Sequence, residues 1–103
     1  MKAQMPGNMQ NMLRQAQKLQ KEMTQAQNKL NETVFVGEAA DGMVKATFTG
    51  DHKLKDITIK PEAIDPDDPD MLQDLIIDAV NKGLEEIDQA TQQSLGKYTK
   101  GMI

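Results

Sequence analysis

The sequence predicts an α+β fold in which two long helices flank a three-stranded antiparallel sheet, in the order α-β-β-β-α. Three observations predict it: a heptad stripe near the N-terminus, turn signals between short alternating segments, and a second amphipathic stretch after a proline-rich connection. At 103 residues the chain can close only one modest core. We therefore expect one domain, residues 1–103, with 1–7 as a flexible N-terminal tail.

The first helix is predicted from apolar residues that recur at alternating steps of three and four. This spacing places them on one stripe of a helix over about three heptads. Asn8 is the expected N-cap and Leu30 the last periodic residue, which gives a rod of about 33 Å at 1.5 Å per residue. The stripe consists of Met9, Met12, Ala16, Leu19, Met23, Ala26 and Leu30, widened by Leu13.

The first two strands are predicted where β-branched and aromatic residues replace the helical pattern. The first strand begins at Thr33, and the second covers residues 44–49. Between them, Asp41-Gly42 is a strong signal for a type I′ hairpin turn, which needs positive φ at both central positions.

A third strand, at about residues 53–60, follows a turn at 50–52 and completes an antiparallel meander. Ile57 and Ile59 fall on one face of this strand by their two-residue spacing. Leu54 breaks the alternation, either as a β-bulge or as a contact on the second face.

The second helix is predicted after the acidic, proline-rich segment 61–70. Asp68 is the expected N-cap and Pro69 the first helical residue. The helix should end before Gly101, with fraying or a break near Gly96. Its apolar residues are Leu72, Leu75, Ile76, Ala79, Val80, Leu84 and Ile87.

These helices are longer than the sheet beside them. Strands of about eight residues span roughly 26 Å, whereas a helix of about thirty residues reaches ~45 Å. The overhanging apolar stripes must pack on each other or on a second copy, and the open sheet edges are a further place for a symmetric partner. We therefore predict a homodimer. The candidates for core or dimer packing are Val44, Phe48, Ile57, Ile59, Leu75, Ile76 and Val80.

Composition excludes several classes of function. The chain has no cysteine, which rules out disulfides, thiolate metal sites and a cysteine nucleophile, and is typical of a reducing compartment. No segment approaches the ~20 apolar residues that cross a bilayer, and the N-terminus lacks the apolar run of a signal peptide. We expect a cytoplasmic protein that does not span a membrane.

The chain has few residues that could act in catalysis, which predicts a protein that is not an enzyme. His52 is the one histidine, and its turn position without a neighbouring Cys or Ser favours an exposed histidine over a general base. The carboxylates at 65, 67, 68 and 70 lack the central Gly and distal Glu of an EF-hand, and a role at the helix start explains them better. With no Gly-rich phosphate loop, we expect neither cofactor, metal nor small-molecule substrate.

The net charge of −4 is unevenly distributed along the chain. Residues 1–60 carry a net charge of +3 and residues 61–103 one of −7. Such a division is a hint of an asymmetric binding surface. No zinc finger, helix-turn-helix or aromatic RNA platform is present. A DNA ligand would therefore be held mainly by its phosphates, with weak sequence preference and strong salt dependence.

Five basic residues are the candidates for DNA contact. Arg14, Lys18 and Lys21 project from the first helix opposite the heptad stripe, which suits a row of phosphates. On these residues alone, a solvated helix face is the commoner interpretation. Lys97 and Lys100 add positive charge near the end of the last helix, where they also suit the helix C-terminus.

Three segments, in their order and spacing, have the pattern of a known family. The segments are Gly7–Met9 with Leu13–Gln20, Asp41–Ala46 with Gly50, and Met71–Ile76 with Ala79–Asn81 and Thr99–Met102. Together they resemble the YbaB/EbfC family of bacterial nucleoid-associated proteins over nearly the whole chain.

The resemblance implies a tweezer-like homodimer that is cytoplasmic, associates with the nucleoid and binds DNA without catalysis. It makes duplex DNA the expected ligand, with a role in nucleoid organisation and gene regulation. The competing hypothesis is an adaptor or scaffold dimer whose long helices bind another protein rather than DNA.

Overall fold

Two long helices and three short strands form the chain in the predicted α-β-β-β-α order. The computed structural model describes residues 7–99, with side chains over 8–96. Helix α1 spans Gly7–Glu32, strands β1, β2 and β3 span Val34–Ala39, Val44–Thr49 and Lys53–Ile59, and helix α2 spans Pro69–Thr99 after a 3₁₀ turn at Pro61–Ala63.

Helix α1 begins slightly earlier than the sequence predicts. Gly7 is already helical, so Asn8 lies in the first turn, and its predicted role as N-cap is wrong. Residues 1–6, the rest of the predicted tail, lie outside the described residues.

The β1–β2 connection contains the predicted type I′ turn. Asp41 and Gly42 have φ values of 58° and 86°, and the Met43 N–H donates to the Ala40 carbonyl oxygen at 3.2 Å. Ala40 also has a positive φ, 49°. The last strand pair is therefore Ala39 with Val44, one step before the turn itself.

Strand β3 contains a β-bulge, which is one of the two interpretations of Leu54 that the sequence leaves open. Thr47 pairs with Asp56 and Phe48 pairs with Leu54, so Lys55 is the extra residue on β3. The bulge returns Leu54 to the same face of the sheet as Phe48.

Helix α2 lies across β1 and β2, and glycines allow its close approach. A Cβ added to Gly37 of β1 would lie 2.0 Å from the Ala79 carbonyl oxygen of α2. A Cβ added to Gly83 of α2 would lie 2.5 Å from Cε2 of Phe48. The helix backbone therefore rests directly on the strands, which only residues without a Cβ permit.

The core lies between α2 and this face of the sheet. Val44 and Phe48 are buried, as a core role predicts. The other predicted packing residues are partly buried against this core: Ile57, Ile59, Leu75, Ile76 and Val80.

The start of α2 is as predicted. The Met71 N–H donates to Oδ1 of Asp68 at 3.2 Å, which is an N-cap. At its other end α2 continues through Gly96 to Thr99, so the predicted break near Gly96 is wrong. One glycine costs a helix interior only about 1 kcal/mol, which the neighbouring turns offset.

Candidate nucleic-acid interface

Helix α1 extends well beyond the sheet and beyond its contact with α2. Leu30 and Ala26 share a groove with Ala90 and Ser94 of α2, and Met23 shares one with Leu95. Every residue from 8 to 21 is exposed. We call residues 8–21 the arm; with it, the long axis of the molecule measures 85 Å, against 23 and 18 Å across.

The arm carries its positive charge on the side away from the heptad stripe. Arg14, Lys18 and Lys21 are exposed there, on the outer side of the helix by their spacing. We call these three residues the basic face. None of the ion pairs found among the described side chains involves any of them.

The basic face is long enough to follow a nucleic-acid backbone. At 1.5 Å per residue, the rise from Arg14 to Lys21 is about 10 Å. Phosphates of one strand of B-DNA repeat every ~3.4 Å along the axis, so the face extends over about three of them. Lys29, a further exposed cation of α1 that sequence reasoning did not single out, borders the groove shared with α2.

The other two predicted contact residues are not placed by the structure. Lys97 belongs to α2, but its side chain lies outside the described ones, and Lys100 lies outside the described residues.

Several lysines away from the arm have carboxylate partners instead. These exposed pairs add little stability, but they neutralise their lysines locally. They are Lys45 with Glu38 at 3.7 Å, Lys53 with Asp51 at 3.8 Å and Lys82 with Asp78 at 3.0 Å.

The arm and the acidic connection at residues 61–70 lie at opposite ends of the sheet. Helix α1, which carries the arm, joins β1 at the end of the sheet where the Gly50 N–H donates to the Thr33 carbonyl oxygen at 3.0 Å. The connection starts at the other end, where the Lys60 N–H donates to the Met43 carbonyl oxygen at 2.9 Å. A polyanion is therefore attracted to one end of the molecule and repelled from the other.

The β2–β3 turn holds the histidine and has a structural role. His52 is exposed, as predicted, with a φ of 66°, and its Nε2 lies 3.7 Å from Oδ1 of Asp88 on α2. The Thr49 hydroxyl donates to the Asp51 carboxylate and lowers the pKa of that carboxyl, assisted by Lys53. The Thr49 contact stabilises the turn, and the distance between His52 and Asp88 shows that the turn lies beside α2.

The carboxylates of the acidic connection also accept hydrogen bonds from nearby backbone N–H groups. Besides the Asp68 cap, the Asp67 N–H donates to Oδ1 of Asp65 at 2.9 Å, as in an Asx turn. Within the described residues, no group of three or more side chains is arranged to hold a metal ion. Over the same residues, neither helix has the length and hydropathy of a membrane span.

Comparison with known proteins assigns this architecture to a family. The model of the YbaB/EbfC DNA-binding family matches residues 5–102. The chain belongs to this family. The predicted resemblance is thereby confirmed, and so is the prediction that the protein is not an enzyme, because this is a family of DNA-binding proteins.

Relatives and a solved structure agree with the assignment. A nucleoid-associated protein of Lactobacillus delbrueckii subsp. bulgaricus is 69% identical over 96 residues, covering 93% of this chain and 88% of that protein. One of Enterococcus faecalis is 58% identical over 96 residues, covering 93% and 92%. An uncharacterized protein of Helicobacter pylori has the same fold, with a TM-score of 0.66 at 22% identity over 87% of this chain and 92% of that one.

Proposed function

We propose that this YbaB/EbfC protein binds duplex DNA as a homodimer, mainly through phosphate contacts from the basic face of the arm. The observation that carries the proposal is the exposure of the basic face, without carboxylate partners among the described side chains, at the end of the molecule away from the acidic connection. Lys97 and Lys100, the other two candidates from the sequence, assist in this contact. Since its relatives are named nucleoid-associated proteins, we place its action at the nucleoid, in DNA organisation and gene regulation.

The chemistry of the arm favours backbone contacts over base readout. Guanidinium and ammonium groups bind phosphate oxygens, and these contacts orient a protein on DNA without reading its sequence. Gln10, Gln17 and Gln25, which lie on the same side of α1 by helical spacing, can donate further hydrogen bonds to phosphates or base edges. Weak sequence preference and strong salt dependence follow.

Dimer formation is supported by an apolar surface that α2 leaves uncovered beside β3. Asp88 reaches His52 in the β2–β3 turn, so the side of α2 that carries Asp88, Leu84 and Ile77 faces β3. Ile77 is 57% exposed and Leu54 of β3 is 45% exposed. We call this the sheet-side surface; it consists of Leu54, Ile57, Ile59, Ile77, Val80 and Leu84.

A second copy is the occupant that best fits the sheet-side surface. The surface borders the open edge of β3, since the sheet order is β1-β2-β3. A symmetric partner covers the apolar side chains and the edge together, and it brings a second basic face into the same particle.

Charge reversal of the arm tests the DNA contacts. Replacing Arg14, Lys18 and Lys21 by Glu should weaken duplex binding in an electrophoretic shift assay and lower the salt slope by about 3 per arm, at ~0.9 per lost phosphate contact. The matched control replaces Lys45, Lys60 and Lys82 by Glu, which changes net charge equally but away from the arm and from Leu54 on the edge of β3.

The outcomes separate DNA binding from the scaffold alternative. Equal losses in both triple variants would show that net charge, not the arm, governs affinity. Absence of any duplex shift by the wild type, together with a protein partner recovered after nuclease treatment, would favour an adaptor.

Substitution of Ile77 tests the dimer surface. Ile77→Asp should shift the protein from dimer to monomer in sedimentation velocity, because a carboxylate there would be buried without a partner. Val34→Asp is the control, since Val34 is 61% exposed on the opposite face of the sheet. A monomeric wild type would contradict the homodimer.

A further inference from the structure

The heptad stripe of α1 is packed at the C-terminal end of the helix and exposed to solvent on the arm. Near the sheet, Leu30 is 5% exposed and Met23 and Ala26 are partly buried beside α2. On the arm the same stripe continues, and none of the described residues covers it. We call this part the arm seam; it consists of Met9 at 50%, Met12 at 64%, Leu13 at 53% and Leu19 at 43% exposed, together with exposed Ala16.

The spacing of the arm seam is that of a coiled-coil helix. Met9 and Ala16 fall at a positions of the heptad, and Met12 and Leu19 at d positions. Where α2 lies against the same stripe, the pattern already packs against an antiparallel helix. The arm seam therefore continues an existing helix–helix interface into solvent.

The residues beside the arm seam permit pairing with an identical helix. The e and g positions that flank a coiled-coil seam decide which partners are repelled. On the arm these positions hold Asn8, Leu13, Gln15 and Gln20, all uncharged. Two arms can thus approach in either orientation without like-charge repulsion, and Met side chains adapt readily to such a contact.

The cations of the arm point away from such a contact. Arg14 and Lys21 occupy f positions and Lys18 a c position, on the outside of any coiled coil formed through the seam. A helix that lies on a membrane instead carries Lys and Arg on its polar face and bulky aromatic or Leu side chains along the opposite face. The arm seam has no aromatic residue and is two heptads long, which favours a helix partner.

We propose that the arm seam is covered by the arm seam of a second copy that belongs to a different homodimer. This proposal rests on the homodimer of the proposed function, and it joins two dimers into a tetramer. The basic faces then lie on opposite outer sides of the paired arms, so that one assembly holds two duplexes together. The seam is only about 15 Å long from Met9 to Leu19, so pairing is weak and needs a high protein concentration, which DNA-bound protein reaches locally.

Cysteine cross-linking at high protein concentration tests the pairing without DNA, and the absence of native cysteine makes the result unambiguous. Ala16→Cys, in the seam, should form linked chains with a short bismaleimide, and the native mass should be that of a tetramer. Gln17→Cys, on the adjacent outward position, is the control. Equal linking of both variants, no linking, or linked particles of dimer mass would each overturn the proposal.

A second experiment removes the apolar seam and keeps the basic face. Met12→Gln with Leu19→Gln should raise the protein concentration needed for tetramer formation at least about tenfold. It should also abolish the recovery of a labelled duplex on beads that carry a second duplex. Val34→Thr, which removes an equally exposed apolar side chain elsewhere, should change neither measurement.

The two proposals fail in different ways. If the double Gln variant shifts a single duplex and still bridges like the wild type, arm pairing is overturned and DNA binding stands. If the wild type shifts no duplex while Ala16→Cys still links two dimers, the DNA-binding proposal fails and arm pairing stands.

Discussion

Replacing Gly83 by alanine measures how closely α2 rests on the sheet. A Cβ at this position would lie 2.5 Å from Cε2 and 2.6 Å from Cδ2 of Phe48, about 1 Å inside the ~3.5 Å of favourable carbon–carbon contact. Phe48 is 3% exposed, so its ring has no free space to enter. Either the ring leaves its rotamer or α2 moves away from β1 and β2.

Two energies of opposite sign determine the result. Overpacking of a closed core costs about 1–3 kcal/mol, whereas Gly to Ala in a helix interior stabilises by about 1 kcal/mol. Gly96 in the same helix separates the two, because a Cβ there meets no atom within 4 Å. We expect Gly96→Ala to gain up to about 1 kcal/mol and Gly83→Ala to lose up to about 2 kcal/mol.

Urea unfolding followed by circular dichroism measures this difference. Both variants and the wild type should be compared at one protein concentration, because dimer formation would otherwise enter the free energy of unfolding. The urea midpoint of Gly83→Ala should fall below that of Gly96→Ala by the equivalent of about 1–3 kcal/mol. Equal stabilisation by the two substitutions would refute the close approach of α2 to Phe48.

Three further substitutions test other contacts. In Gly50→Ala the new Cβ would lie 1.8 Å from the Leu30 carbonyl oxygen, so thermal melting should show a loss of about 3 kcal/mol or more as α1 is displaced. Asp68→Ala should lower the free energy of unfolding in urea by about 1 kcal/mol through loss of the N-cap. Because the folded pKa of Asp51 is lowered, its carboxylate stabilises the fold above the ordinary carboxyl range and loses this effect as pH falls through the folded pKa. Urea midpoints of wild type and Asp51→Asn should therefore differ at neutral pH and converge in acid.

The order of elements follows from local signals in the sequence. The three-and-four spacing up to Leu30 predicts α1, and Asp41-Gly42 predicts a turn whose φ values the structure confirms. Asp68 and Pro69 predict the start of α2 to the residue. Each of these signals acts over a few neighbouring residues, so no knowledge of the packed fold is needed to find them.

The close packing of α2 on the sheet has no such signal. Taken alone, Gly37 predicts a less stable strand and Gly83 a less stable helix. Only the distances across the fold show that each glycine makes room for the other element. The pairing of His52 with Asp88 depends in the same way on the approach of a turn to a helix.

The candidate site likewise has features that local sequence predicts and features that depend on the packed fold. Helical spacing predicts that Arg14, Lys18 and Lys21 share a face, and the structure shows them exposed on it. The length of the helices predicts that apolar surface is left over. The position of this exposed apolar surface depends on the packing of α2 on β1 and β2 rather than on β3. The periodicity of the sequence does not show on which strands α2 packs.

The net charge of −4 opposes DNA binding less than its sign suggests. The acidic connection and the arm are separated by the length of the sheet, and the six residues of β1 span about 20 Å. The Debye length at physiological ionic strength is only ~8 Å. Charges at the connection are therefore largely screened at the arm, and a phosphate beside Arg14 or Lys18 experiences mainly the basic face. Local charge therefore governs contact in the proposed complex, and the acidic connection opposes that contact little.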